Sequence, residues 1–258
     1  MESNTMKVKT RLMILVAGTL ISTTAHAQLI RAVSATGPVQ AMEVKRLVPT
    51  ELDEDGGLNP AGFPDADLWL HVLHNNDGES KVLPLTGAQA GFGGAARFKT
   101  LVDQLKLQAD TARGDGIAQG WVMISSGDNI LPGVNLNAAI SNGVPFYDSI
   151  LFDLIGYSAM TLGNHDFDSN PDVLRDLIAG TTNTRFISSN LDFTFEAGLQ
   201  AQVLAGKLAK SAVVTVSGRQ VGIVGATTEL LPLISSPRNT IINPVAVAVQ
   251  AEINALTA

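Results

Sequence analysis

From Leu68 onward, apolar positions fall either into short continuous runs or into helical spacing. Short runs bounded by turn residues predict buried strands over Leu68–His74, Gly120–Ser126, Tyr157–Leu162 and Arg185–Leu191. Phe98, Leu101, Val102 and Leu105 recur at helical spacing after the glycine-rich stretch Gly91–Arg97. Phe146, Ile150, Leu151 and Leu154 put one apolar face on a helix over Val144–Ile155. Further helices are predicted over Asp172–Ile178, behind Pro171, and over Val245–Leu256. Ser211–Ser217 and Gln220–Ala226, turning at Gly218 and Arg219, read as a hairpin. Pro132–Asn142, the stretch from Asp192 and Glu229–Pro237 read as loops. Strands alternating with helices predict an α/β fold around a parallel sheet.

The residues just past the strand ends change the picture. The first run ends in Asn75, Asn76, Asp77, Gly78 and Glu79, and the second in Gly127, Asp128 and Asn129. The third ends on Gly163 and is followed by Asn164, His165, Asp166, Phe167 and Asp168. Ligands of open α/β sheets bind in the crevice beyond the carboxyl ends of the strands. Hard oxygen donors delivered there by three strands, with one histidine, describe a divalent-metal hydrolase site. His165 has the chemistry to ligate a metal, donate a proton or bond a phosphate oxygen, and Asp168 is placed to orient it. The competing reading is a polar turn in which Asp168 or Ser169 caps the helix entered at Pro171. His71 and His74 lie on the first strand itself and read as packed residues rather than ligands. The glycines of 91–97 read as close backbone packing, since no Gly-Lys-Ser/Thr phosphate loop is present. Asn190 reads as a turn residue.

Composition narrows the classes. The 258 residues are 45% hydrophobic and 16% charged, enough apolar material for a sizeable core. A net charge of −7 argues against a nucleic-acid polymer as partner. The absence of cysteine excludes disulfides, thiolate zinc sites and cysteine nucleophiles. The N-terminus has the layout of an export signal: Lys7, Lys9 and Arg11, an apolar core Leu12–Ile21, and Ala25-His26-Ala27 as a small-x-small cleavage site. The apolar core is too short for a stable membrane anchor. The expected organisation is therefore signal peptide 1–27, a leader or loop segment 28–67, and a domain from 68 to 258 whose chain is periplasmic or secreted. Without residues 1–27, 14 basic residues face 23 acidic ones, a net −9. The acidic run Glu51–Gly57 has the wrong oxygen spacing for a calcium loop and reads as a solvated leader.

The ordered set Asn76-Asp77-Gly78-Glu79, Gly93-Gly94-Ala95-Ala96-Arg97-Phe98, Ser126-Gly127-Asp128-Asn129 and Gly163-Asn164-His165-Asp166-Phe167-Asp168 resembles the calcineurin-like metallophosphoesterases. It is most similar to their secreted 5′-nucleotidase branch, over about residues 68–240. The resemblance implies a four-layer α/β/β/α sandwich and two divalent metal ions, drawn from Mn, Zn, Ca or Mg. It assigns Asp77 and Glu79 to the first metal, Asp128 to the bridge and Asn164 to the second metal. It makes His165 and Asp168 the catalytic dyad, with Asn164 and His165 meeting the substrate. The implied activity is hydrolysis of phosphoric monoesters such as nucleotides by hydroxide on a dinuclear centre. 2′,3′-Cyclic-nucleotide phosphodiester hydrolysis is the alternative.

Two departures from the family pattern stand out. The second residue of the first ligand pair, histidine in the family, is Glu79, which shifts preference from zinc towards manganese or calcium without inactivating the site. The family also supplies three further histidines downstream, and none follows His165 here. The expectation is a fragment of a longer protein that lacks those ligands and a C-terminal substrate domain, and is weak or inactive alone. A non-catalytic metal- or phosphate-binding module is the contrasting reading.

Overall fold

The computed structural model describes residues 68–90, 92–111 and 116–258 in full, and the backbone of 11–17, 28–30 and 44–46. The expected cleavage site and the acidic run 51–57 lie outside the described residues.

The strands in chain order are β1 (Arg11–Ala17), β2 (Gln28–Ile30), β3 (Val44–Arg46), β4 (Leu68–Asn75), β5 (Ala118–Ser125) and β6 (Ala159–Thr161). They continue as β7 (Phe186–Ile187), β8 (Leu191–Asp192), β9 (Leu208–Ala209), β10 (Ser211–Val216), β11 (Arg219–Ala226) and β12 (Ile241–Ile242). The helices are α1 (Ala95–Asp110), α2 (Val134–Asn142), α3 (Tyr147–Ile155), α4 (Pro171–Ala179), α5 (Ala197–Leu204), α6 (Leu231–Ile234) and α7 (Val245–Thr257).

A five-stranded parallel sheet runs in the order β4-β5-β6-β7-β9, and each strand reaches the next through at least one helix. Parallel neighbours need such crossovers, and one-handed crossovers taken in sequence place every helix on one face. Met123, Met160, Phe186 and Leu208 of the sheet meet Val102, Phe152, Leu174, Leu177 and Leu199 of α1, α3, α4 and α5. The opposite face, with Val122, Ile124, Ala159 and Ile187, packs on Ala212, Val216, Val221 and Ile223 of the β10–β11 hairpin. Alternation along β11 then sends Val224 and Ala226 outward, where Val249 of α7 covers them. The layers are therefore helix, sheet, sheet, helix, as expected. β1 extends the second sheet by pairing parallel to β11, from Arg11 opposite Gln220 to Ala17 opposite Ala226. β2 pairs with β3, and β8 with β12, in small antiparallel ladders.

Several local expectations change. Residues 134–142, expected as loop, are helical. Leu136 and Ala139, three apart, are buried, and Gly133 and Gly143 bound the segment that the small polar residues disguised. α3 begins at Tyr147 and buries Ser149, Phe152 and Ile155, while Ile150 and Leu154 face solvent. Arg185–Leu191 is two short strands in different sheets. α5 was not anticipated, and α6 lies inside the expected loop 229–237. Among the described residues β4 pairs with β5 alone, and His74 is exposed rather than packed.

Candidate active site at the strand ends

β4, β5 and β6 are neighbours and parallel, so their carboxyl ends open side by side. The loops beyond β4 and β5 stay paired past the sheet: the amides of Asp77, Glu79 and Ser80 donate to the carbonyls of Gly127, Asp128 and Asn129 at 3.1, 3.0 and 3.1 Å. Asp77, Glu79, Ser80 and Asp128 all have left-handed backbone conformations, with φ of 52°, 49°, 53° and 53°. Such conformations cost free energy in residues with a Cβ and cluster where a loop is shaped for function.

The β6 loop is pressed against the β5 loop. A Cβ on Gly163 would stand 2.2 Å from Asp128 Oδ1, and one on Gly127 would stand 2.6 Å from the Gly163 nitrogen. Only glycine permits this approach, and through it His165 N donates to Asp128 Oδ1 at 2.9 Å. Burial, above all, raises the pKa of Asp128; the His165 amide opposes this, and the neighbouring Asp77 carboxyl adds to it. The Asp77 carboxyl also accepts from the Asn76 side-chain amide.

His165 opens a single turn of 3₁₀ helix, His165–Phe167, that starts from Asn164. Its Nδ1 lies 2.6 Å from Asp168 Oδ2. That hydrogen bond is the largest cause of a His165 pKa raised above the ordinary imidazole value. Partial burial opposes it, and the charges of Asp128, Asp168 and Glu79 support it. The other Asp168 oxygen accepts from Ser235 Oγ at 2.7 Å. The dyad is thus fixed at its far side by a residue just past α6. The cap of α4 is Asn170, whose Oδ1 accepts from the amides of Asp172 and Val173 at 2.8 and 3.3 Å. Asp168 is left to the histidine.

Sequence reading gave Asp166 no role. It is buried, and its carboxylate accepts from the amides of Asn129, Ile130 and Gly163 at 2.9, 3.2 and 2.8 Å and from Asn129 Nδ2 at 3.1 Å. It ties the β5 and β6 loops together from beneath. Burial pushes its pKa up to about 7 against those donors. Its signal was its place between His165 and Asp168. Ser235 had none. Thr227 Oγ1 donates to the Leu162 carbonyl at 2.6 Å and meets Ser188 Oγ at 2.9 Å, knitting the ends of β6, β7 and β11. Asn190 has the structural role expected of it. It is buried and exchanges bonds with Thr227, its Oδ1 accepting at 2.8 Å and its Nδ2 donating at 2.9 Å. In the Gly91–Arg97 stretch, Arg97 gathers the loop by donating to the carbonyls of Ala90, Phe92 and Gly93.

The residues expected to bind metal are therefore assembled by adjacent loops: Asp77 meets Asp128, and Asp128 and Glu79 act on His165. Asn164 is half-buried at the start of the same turn. Carboxylate and amide oxygens suit a hard divalent ion in kind. Among the described residues, no three His, Cys, Asp or Glu side chains enclose one point.

No protein-family model matches the chain. It is 28% identical over 203 residues to 5′-nucleotidase of Mus musculus, covering 75% of this chain and 32% of that one. It is 27% identical over 218 residues to the trifunctional nucleotide phosphoesterase protein YfkN of Bacillus subtilis, covering 74% of this chain and 13% of that one. Among solved structures it is similar to the 5′-nucleotidase precursor of Thermus thermophilus, with a TM-score of 0.59 and 27% identity over 72% of this chain and 34% of the other. The calcineurin-like phosphoesterase YfkN of Bacillus subtilis shares the fold, with a TM-score of 0.53 at 17% identity. The resemblance read from the motifs thus extends through sequence and fold. The chain spans about a third of the length of the 5′-nucleotidases it matches.

Proposed function

We propose that this chain carries the reacting centre of a metal-dependent phosphoric-ester hydrolase acting on nucleotides or similar small phosphate esters. The observation that carries the reading is the His165–Asp168 pair, 2.6 Å apart, beside the Asp77–Asp128 contact at the ends of adjacent parallel strands. Asp77, Glu79, Asp128 and Asn164 would hold divalent ions, which supply Lewis-acid polarisation of the phosphoryl group and an activated water. The chain's own contribution is a fixed histidine. With Nδ1 turned to Asp168, Nε2 is the nitrogen left for the ester, where it donates a proton or hydrogen bond to an oxygen gaining charge. The Asp168 interaction keeps His165 protonated to higher pH than a free imidazole, which suits donation.

The likeness to 5′-nucleotidases supports nucleoside 5′-monophosphates as substrates. The likeness to a trifunctional nucleotide phosphoesterase supports a wider range that includes cyclic phosphodiesters. Substrate choice is proposed to rest with parts of those longer proteins that the chain does not span. We read residues 1–27 as an export leader cleaved after Ala27, which places the chain in the periplasm or outside the cell and removes β1 from the second sheet.

A second reading is a metal- or phosphate-binding module without turnover. It is favoured by the unclosed donor set among the described residues. Phosphate release from p-nitrophenyl phosphate and adenosine 5′-monophosphate, and ring opening of 2′,3′-cyclic adenosine monophosphate to the monoester, each with and without Mn²⁺, Zn²⁺, Ca²⁺ or Mg²⁺, separate the two. Metal-dependent release abolished by chelation supports the hydrolase. Saturable metal and phosphate binding with no release supports the module.

A further inference from the structure

The segment that leaves β11 after Ala226 passes through α6 and returns to a sheet at Ile241 of β12. Leu231 and Pro237 are buried along it, while Leu230, Leu233 and Ile234 face solvent. From Leu230 to Pro237, the bond from Ser235 Oγ to Asp168 Oδ1 is the one polar tie to other segments among the described residues. Three residues after Ser235, Arg238 Nη1 donates to Asp172 Oδ2 at 2.8 Å and Nη2 to Glu196 Oε2 at 3.3 Å. The stretches 168–172 and 235–238 are therefore joined by two rungs, Ser235–Asp168 and Arg238–Asp172.

The second rung is held at every end. Glu196 is 6% exposed where it precedes α5, and its other oxygen accepts from the Asn239 amide at 2.7 Å. The Arg238 side chain and the next amide thus close on one buried carboxylate. That closure holds Arg238 in a left-handed backbone conformation, with φ of 50°. Such a conformation costs free energy in a residue with a Cβ and persists where its surroundings over-determine it. On α4, Arg175 Nη1 also donates to Asp172, at 2.8 Å. The Arg238 bond is the largest cause of an Asp172 pKa held below the usual carboxylate range.

We infer that Arg238 is a positioning residue: by fixing 235–238 against α4 and α5, it sets how Ser235 meets Asp168, and through Asp168 how the His165 ring is oriented. This rests on the reading of His165 and Asp168 as the dyad of a hydrolase. Exposed ion pairs contribute little to stability. What a forked guanidinium adds is geometry, since it reaches carboxylates on two elements at once. A Ser235 hydroxyl on a loose segment would bond Asp168 for only part of the time, and Asp168 would then hold the imidazole less firmly.

The test is a double-mutant cycle of Arg238→Ala and Ser235→Ala in the full chain, with two readings. With p-nitrophenyl phosphate in Mn²⁺, Arg238→Ala is expected to lower kcat by roughly two- to tenfold, the worth of one hydrogen bond, with KM unchanged. In excess chelator at pH 8, the NMR shift of His165 Nδ1 is expected to move in the same direction as in Ser235→Ala. On the Ser235→Ala background, Arg238→Ala is expected to add nothing to either reading, because it acts through that hydroxyl. If Arg238→Ala fails to fold, Asp172→Ala decides under the same expectations, since it cuts the rung to α4 while Glu196 keeps its cation. Unchanged readings in a folded Arg238→Ala, no effect of Ser235→Ala itself, or equal changes with and without the Ser235 hydroxyl overturn the inference. Absence of turnover in the wild type counts against the hydrolase reading, and the Nδ1 shift still decides whether Arg238 positions the pair.

Discussion

The Asp166 carboxylate bonds the backbone amides of Asn129 and Gly163 at 2.9 and 2.8 Å, so one buried side chain holds two loops in register. Asp166→Asn keeps the shape but replaces one acceptor oxygen with a donor. At least one buried amide then lacks a partner. The expected cost is about 1–3 kcal/mol of unfolding free energy, measured by urea denaturation. A change within error would show that the loops do not depend on this knot.

Gly163 is a packing requirement rather than a flexible joint. In Gly163→Ala the new Cβ would meet Asp128 Oδ1 at 2.2 Å and the Asp128 nitrogen at 2.3 Å, so backbone must move. A destabilisation of about 1–3 kcal/mol or more is expected, together with weaker Mn²⁺ binding in titration calorimetry because Asp128 is displaced. Wild-type stability and Mn²⁺ affinity would contradict the close approach.

The pH dependence of His165 has a definite sign. Its folded pKa is raised, chiefly by the Asp168 hydrogen bond. The pair therefore stabilises the fold fully below the unfolded value near 6.5, and this contribution is lost as pH rises through the folded pKa. Asp168→Asn should lower the His165 pKa, read from its imidazole proton shifts by NMR and assigned with His165→Gln. The stability gap between wild type and Asp168→Asn should narrow from pH 5 to pH 8. An unmoved titration would remove Asp168 from the dyad.

Ser235→Ala removes the donor to the second Asp168 oxygen. The hydroxyl is one hydrogen bond at a partly buried site, so about 0.5–1.5 kcal/mol is at stake. The expected reading is a several-fold lower turnover with Tm little changed. A fall in Tm with turnover intact would make Ser235 a purely structural tie.

The alternation of strands and helices was legible because its cause is local: continuous apolar runs alternate with helical spacing, whereas the four layers were implied only by the family resemblance. The strand-end residues Asp77, Asp128 and His165 were legible because parallel strands in sequential order bring successive loop tips together. Other features depend on distant partners. Ser235 lies 67 residues beyond Asp168 and carries no pattern of its own. The helix at 134–142 hides behind asparagines and alanines, and only Leu136 and Ala139 reach the core. The inward face of α3 was misjudged because Ile150 and Leu154 are apolar yet exposed, while Ser149 is buried and bonds the Leu177 carbonyl at 2.7 Å. Cβ–carboxylate crowding at Gly163 is visible only once the two loops are in place.

The most direct test of the proposed activity is the rate of phosphate release from p-nitrophenyl phosphate in saturating Mn²⁺, comparing the protein with His165→Ala. A positioned general acid contributes roughly 10²–10⁴-fold. The predicted result is a loss in that range while Mn²⁺ binding and Tm stay near wild type. Undiminished release by a folded His165→Ala variant would contradict the role of the dyad.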